Sequence, residues 1–506
     1  MPQQQRALDL SVEARFFYLA MEQRTGKTKV VIDNTARCFI DGIIDSLLVL
    51  AGGGTGVAAN WEDEVEAHLL EAIPRRVLVW RASRAKTKTF REALDALLAF
   101  EGIAVLAVNS EAMIGEPFRA YLRGFLARRR AFLAADEAGF MKAPGSSASR
   151  VARAISRHKN VIFKRALDGT PGERPLDLWA QWDFLDPSVL ECPTFGVFKA
   201  RYAEWEDKVA YSTGQRYQVL KRYKNLDDLQ RRIAPYTFRC LRSDLSDAPP
   251  KTYETWHVDL TERQRAVYDR LAEEFVAETT QGTISAPLAI VRLTRLQQIL
   301  SNFLPTDPTA EACPTCEGYG KYPLDEDPCP TCEGYGFVER EGVVHAVDDR
   351  NDPRLERLVE GVAAHDGPAI VWSRFTRDLA RAGEHLARQG LSVARYDGTV
   401  SAAKKIEVKA DFAAGRVRVL LANQRAAARG VKFRLEGGSA VHLHVYYANS
   451  FSLLARQQSE DRTEVVGDPL STRVADIVAR GTVDEKIVLA HREKRDVMRA
   501  VLGDRS

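Results

Sequence analysis

At 506 residues the chain is too long for a single hydrophobic core, so two or three domains are expected. Its hydrophobic fraction of 45% and mean hydropathy of -0.27 are those of a globular protein. It has neither a run of about eighteen apolar residues nor a basic-then-apolar leader, which argues against a membrane partner and for a cytoplasmic location. A net charge of +3 is nearly neutral, so any nucleic-acid surface must be local.

Residues 1–187 read as alternating strands and helices. Short apolar runs at 16–21, 46–51, 76–80, 104–108, 131–135 and 161–167 are separated by amphipathic stretches such as 61–73 and 90–100. This alternation predicts an α/β lobe built on a parallel sheet covered on both faces. The basic triplet Arg128-Arg129-Arg130 reads as a solvated face.

Arg24-Thr25-Gly26-Lys27-Thr28 follows the first apolar run and opens a helix over 29–39. A nucleoside triphosphate needs this arrangement. Glycine lets backbone amides approach the phosphates, and the helix start adds a favourable dipole. Lys27 would neutralise the outer phosphates and the Thr28 hydroxyl would ligate Mg2+. The first glycine of the GxxxxGK[ST] pattern is absent, because Met21 stands there.

The run at 131–135 ends in Asp136-Glu137-Ala138-Gly139. Asp136 would hold Mg2+ through water, and Glu137 would polarise a water for in-line attack on a γ-phosphate. An acidic pair capping the next helix is the plainer alternative.

Residues 188–345 are expected to be a helical insertion, with helices over 261–279 and 288–300. Within it, Cys313-Pro314-Thr315-Cys316-Glu317-Gly318-Tyr319-Gly320 recurs letter for letter from Cys329 to Gly336. Two CxxC pairs can give one tetrahedral Zn2+ the four thiolates of Cys313, Cys316, Cys329 and Cys332, in a knuckle spanning 311–338. A structural zinc folding an otherwise coreless loop and a nucleic-acid grip through Tyr319, Tyr335 and Lys321 both remain open. Cys38, Cys192 and Cys240 stand alone and are expected to be buried. From 346 to 506 the alternation returns, with strands expected at 369–372, 392–396, 417–421 and 440–447. The fold expected is therefore two parallel-sheet lobes with a helical insertion and a small zinc knuckle between them.

The residues 21–28 resemble motif I of superfamily 2 helicases, particularly phage-type DEAD/DEAH-box members of the Swi/Snf-like branch. Residues 136–144 are similar to motif II, and Leu167-Asp168-Gly169-Thr170-Pro171 to motif III. Asn60-Trp61-Glu62 and Asn109-Ser110-Glu111 sit where that family's DNA-contacting motifs fall. Residues 249–251, 260–268 and 293–299 resemble the region linking its lobes. Residues 370–376 resemble motif IV, Arg429-Gly430-Val431 motif V, Gln458-Ser459-Glu460-Asp461-Arg462 motif VI, and 481–486 the family's tail. The cysteine repeat resembles the CxxCxGxG zinc modules of DnaJ-type chaperones.

The resemblance implies two RecA-like lobes (a P-loop NTPase) with ATP and Mg2+ held between them. Thr25, Gly26, Lys27 and Thr28 would meet the nucleotide, with Gln4 reading adenine. Gly430 and Gln458 would join from the second lobe, and Arg462 would stabilise transition-state charge. Gly139 and Asp168 depart from the residues usual in this branch, and Val465 stands where motif VI carries a second arginine.

The implied function is an ATP hydrolase that tracks along duplex DNA in replication, recombination or repair; single strands and RNA remain open as substrates. A strand-separating helicase is one alternative. An ATP-gated nucleic-acid-binding scaffold is another, with Val465 in its favour, as is a protein partner supplying an arginine in trans.

Overall fold

The computed structural model describes the chain except residues 53–54, 210–215, 246–250, 282–285, 306–308, 313–336, 341–343, 425–432, 464–469 and 504–506. Alternation along β1 (Phe16–Met21) organises the first lobe: Phe17, Leu19 and Met21 enter one buried cluster, and Tyr18 and Ala20 enter another on the opposite face. The same division runs through β2 (Ser46–Ala51), β3 (Arg75–Val79), β4 (Ile103–Asn109), β5 (Ala131–Asp136) and β6 (Val161–Leu167). Strands buried on both faces tend to be apolar runs, as β2 is; β6 departs from this at Lys164 and at the fully buried Arg165, whose guanidinium donates to the Ser11 carbonyl and, at 2.8 Å, to Asn34 Oδ1. The helices Lys27–Ile40 and Thr55–His68 supply residues to one cluster, and Lys88–Leu98 and Glu116–Arg128 to the other.

Residues 203–258, expected to be helical, contain four strands. β7 (Ala203–Val209) and β8 (Arg216–Tyr223) form an antiparallel hairpin. β9 (Thr237–Cys240) pairs in parallel with β1 and completes a sheet of order β3-β4-β2-β5-β6-β1-β9. β10 (Lys251–Val258) joins the second lobe. The expected boundary at 187/188 therefore lies inside the first lobe, and the second sheet begins well before 346. These strands escape a search for apolar runs because they are edges or a two-stranded ribbon. β10, for instance, buries Trp256 and Val258 but leaves Thr252, Tyr253 and His257 exposed.

The helices Glu262–Gln281 and Ala286–Leu300 match the expected pair closely. After them, β11 (Phe303–Pro305) and β12 (Thr309–Ala312) pair antiparallel with β14 (Val344–Ala346) and β13 (Phe337–Arg340), respectively. Ala312 lies opposite Phe337, so the chain on either side of the cysteine repeat is brought together at a two-stranded base. Cys313, Cys316, Cys329 and Cys332 lie outside the described residues; Cys38, Cys192 and Cys240 are buried as expected.

β15 (Ala369–Ser373), β16 (Val393–Tyr396), β17 (Val419–Asn423), β18 (Leu443–Ala448) and β19 (Thr472–Ala479) form the second parallel sheet, in the order β10-β19-β18-β15-β17-β16. It too has a buried cluster on each face, with Val371, Leu421 and Val445 on one side and Ile370, Trp372, Leu420 and Tyr446 on the other. The architecture is α/β with two parallel-sheet lobes. No described helix is long and apolar enough to cross a membrane.

The basic triplet departs from expectation in its middle member. Arg129 is buried, and its guanidinium donates to the carbonyls of Leu97 and Leu98 at 3.3 and 2.8 Å, as well as to that of Phe100. It thereby satisfies carbonyls at the end of helix Lys88–Leu98 that have no partner within the helix.

Candidate nucleotide site between the lobes

Parallel pairing brings the C-terminal ends of β1, β5 and β6 to one edge of the first sheet: Leu19 and Asp136 both lie opposite Leu167. In open α/β sheets that edge is where ligands bind. After β1 the chain turns through Arg24 at φ +66 and Gly26 at φ +95 before entering helix Lys27–Ile40. Gly26 is required for space as well as conformation, because a Cβ there would lie 1.9 Å from Gln4 Nε2. The Gln4 amide therefore rests on the loop, and Gln4 and Gly26 border the same cavity.

The turn is held by the Glu22 carbonyl. It accepts from Thr25 Oγ1 at 2.7 Å and from Lys27 Nζ at 3.1 Å. Thr25 is fully buried, and its hydroxyl braces the loop. Lys27 is folded back against the loop, while Thr28 borders the cavity.

Asp136 ends β5, and Glu137 follows in the left-handed region at φ +52. Strain of that kind in a non-glycine residue is kept only where the surroundings enforce it. Asp136 Oδ2 accepts from the Trp61 indole at 2.9 Å, and Oδ1 from Glu137 N at 3.0 Å. Burial and the neighbouring Glu137 push the Asp136 carboxyl well above the usual range, against the opposing pull of Trp61 and Lys27.

Asp168, three residues before Pro171, lies behind this pair. Gly139 N donates to its Oδ2 at 2.7 Å and Thr170 N to its Oδ1 at 2.8 Å. The two departures read separately from sequence thus contact one another. A Cβ at position 139 would approach Asp168 Oδ2 to 3.1 Å, so a small residue there gives the carboxylate room. Burial, then Glu137, raises the Asp168 carboxyl strongly.

The second lobe closes the site. Helix Leu453–Glu460 brings Gln458, and the turn after it brings Arg462, to a cavity of about 540 Å3 that is also bordered by Lys27, Thr28, Asp136 and Glu137. Arg462 is buried, and its main-chain carbonyl lies 3.5 Å from Arg24 Nη2 of the first lobe. Glu173 fixes the two lobes to one another: it accepts from Ser452 Oγ at 2.5 Å and Leu454 N at 3.0 Å, and pairs with Lys494 at 3.4 Å. The helix carrying Gln458 is thus capped by a carboxylate from the opposite lobe.

These residues suit a magnesium nucleoside triphosphate. A glycine with positive φ opens a helix, a lysine follows it, and buried carboxylates that resist ionisation would be relieved by a divalent cation. Lys27, Thr28, Asp136, Glu137, Gln4, Gln458 and Arg462 meet at one cavity. Gly430 lies outside the described residues, as do Arg429, Val431 and Val465.

Of the motif segments expected near DNA, one borders the nucleotide cavity and the other lies at the end of β4. Trp61 is buried and reaches Asp136; Asn60 borders the same cavity, and Glu62 is exposed. Asn109 ends β4 and Ser110 opens the turn after it; both are buried, and Asn109 Oδ1 accepts from Ala112 N. Neither Trp61 as a partner of Asp136 nor Glu173 as an interlobe contact is recognisable from local pattern, since each partner is far away in sequence. Among the described residues no His, Cys, Asp and Glu group forms a further metal cluster.

The SNF2-related domain family matches residues 42–302, just over half of the chain, and the helicase conserved C-terminal domain family matches residues 353–443. The ATP-dependent helicase brm of Drosophila melanogaster is 21% identical over 365 residues, covering 70% of this chain and 21% of that protein. An uncharacterised ATP-dependent helicase of Mycoplasma genitalium is 19% identical over 375 residues, covering 73% of this chain and 30% of that protein. The chain therefore spans about a fifth to a third of the length of these two curated relatives. Among solved structures, the Sulfolobus solfataricus SWI2/SNF2 ATPase core in complex with dsDNA is 17% identical at a TM-score of 0.39, covering 99% of this chain and 92% of that one. With two parallel-sheet lobes meeting at a nucleotide-sized cavity and a domain match over more than half its length, the chain belongs to the SNF2-related family.

Proposed function

We propose that the protein is an ATP-driven motor that tracks along duplex DNA. The observation that carries this reading is the convergence of Lys27, Asp136 and Glu137 from one lobe and Arg462 from the other on a single cavity of about 540 Å3. Magnesium, when bound, would offset the charge that develops on the phosphate oxygens. Thr28 and Asp136 would hold it, and Lys27 would leave the Glu22 carbonyl for the outer phosphates. Glu137 orients the attacking water, and Arg462 stabilises transition-state charge. Gln4, seated on Gly26, reads the adenine, and Gln458 and Gly430 meet the nucleotide from the second lobe.

A site shared between two lobes converts nucleotide turnover into relative motion, with Thr170 and Glu173 on the path between them. The family and the relatives' names, which include the chromatin-remodelling ATPase INO80 of Drosophila melanogaster, favour duplex DNA as the track. DNA replication, recombination or repair is the setting proposed. Displacement of the third strand from a DNA triplex in the presence of ATP tests translocation directly. Displacement by the wild type and none by Lys27→Ala is expected. Hydrolysis without displacement would point to the nucleotide-gated scaffold, and separation of a plain duplex to a strand-separating helicase.

The four cysteines of the repeat are proposed to hold one zinc ion. The letter-for-letter repeat supports this, as does the β12–β13 base that draws its two ends together. A closed loop bearing four thiolates is the situation in which a metal replaces a missing hydrophobic core.

A further inference from the structure

Arg24 is the loop residue the foregoing mechanism leaves unused. It holds φ +66, a conformation that glycine adopts freely and that an arginine keeps only when the surroundings impose it. The turn itself is held by the Glu22 carbonyl, which accepts from Thr25 and Lys27.

Arg24 borders the nucleotide cavity two residues before Gly26, and its Nη2 reaches across the cleft to within 3.5 Å of the Arg462 carbonyl. Its guanidinium therefore lies beside the main chain of the residue whose own guanidinium faces the cavity from the other lobe. Asp136, Glu137 and Asp168 wall that cavity, and a triphosphate adds further negative charge. Lys27 and Arg462 are opposed by these three carboxylates, and three residues beyond Arg462 the chain carries the uncharged Val465. A planar guanidinium beside the phosphate loop is well suited to pair with phosphate oxygens.

We propose that Arg24 is a catalytic residue that contacts the terminal phosphates of the bound nucleotide, giving the first lobe an arginine that acts beside Arg462. The proposal rests on the motor reading above and adds to it that the chain supplies this second arginine itself, without a partner. It also explains why a strained arginine is kept where glycine would fit. With a triphosphate bound, Arg24 holds the γ-phosphate and Arg462 together, so closure senses the difference between triphosphate and diphosphate.

The test compares wild type, Arg24→Gly and Arg24→Lys in the full chain. It measures duplex-stimulated ATP hydrolysis, thermal unfolding, and calorimetric binding of Mg·ADP and of a non-hydrolysable Mg·ATP analogue. Glycine suits φ +66, so Arg24→Gly should unfold at or above the wild-type temperature, which separates lost function from lost fold. Its turnover should fall by about 30-fold or more, a modest share of what an arginine finger supplies elsewhere. Affinity for the triphosphate analogue should fall about tenfold, with that for ADP within about twofold. Arg24→Lys should recover part of both losses. Turnover within about threefold of wild type in Arg24→Gly would overturn the proposal. So would reduced turnover with the preference for triphosphate intact, which would make Arg24 only a strut between the lobes. A wild type that binds neither nucleotide would overturn the motor reading and this proposal with it, and that result appears in the wild-type arm alone.

Discussion

Trp61 shows how much a single donor governs this site. Its indole N–H takes one oxygen of Asp136 and Glu137 N takes the other, so the carboxylate arrives oriented. Trp61→Phe keeps the ring in its buried slot and removes only the N–H. The loss of one hydrogen bond worth about 1 kcal/mol should raise the Mg2+ concentration for half-maximal hydrolysis about fivefold. A Mg2+ titration of both proteins checks this; an unchanged requirement would mean that the indole only packs.

A second residue, Asp378, is fully buried in the second lobe, where its Oδ2 accepts from Ser373 Oγ at 2.6 Å and Ser301 Oγ at 3.1 Å. Burial pushes its carboxyl up to about 7, against the pull of Ser373, Arg354, Ser301 and Arg381. Because the folded value lies above the unfolded one, the protonated form stabilises the fold at low pH. That contribution is lost as pH rises from about 4 through about 7. Asp378→Asn should therefore gain stability relative to wild type by on the order of 2 kcal/mol between pH 5 and pH 8, measured by urea unfolding. An equal difference at the two pH values would contradict it.

At the scale of elements, the buried strands were legible because parallel strands covered on both faces have to be continuous apolar runs. β2 falls on such a run, and β6 falls on one interrupted by Lys164 and the buried Arg165. The strands β7 to β10 were not legible, because a ribbon or edge strand keeps polar and charged residues such as Asp207, Lys221 and Thr252 on an open face. Nor does local pattern show that a helix is capped from another lobe. Glu173 caps helix Leu453–Glu460 and pairs with Lys494 on the final helix, Val483–Leu502, which starts in the second lobe's core and buries Met498 and Val501 in that of the first. Glu173→Ala should leave each lobe folded while misplacing Arg462, and duplex-stimulated turnover should fall about tenfold for a lost alignment of about 1.4 kcal/mol. Steady-state kinetics and thermal unfolding run side by side separate this from general destabilisation.

At the scale of the whole molecule, the two-lobe plan follows from two blocks of strand-helix alternation, and the candidate site follows from where strands end in each. The phosphate loop and the acidic pair were readable because each is contiguous. The Gly139–Asp168 contact, the Trp61 donor and the crossing from Arg24 to Arg462 were not, because they join residues that only the fold brings together. The cysteine repeat leads to a prediction of its own: metal analysis of the purified chain should find about one zinc per molecule, lost in a Cys316→Ser, Cys332→Ser double variant.

The central claim is that residues from both lobes form one catalytic site for ATP. Steady-state hydrolysis should be measured with and without duplex DNA for wild type, Lys27→Ala and Arg462→Ala. Hydrolysis stimulated by duplex DNA in the wild type, and reduced by about 100-fold or more in either variant, is the predicted result. Full activity in Arg462→Ala, or none in the wild type on any nucleic acid, would contradict it.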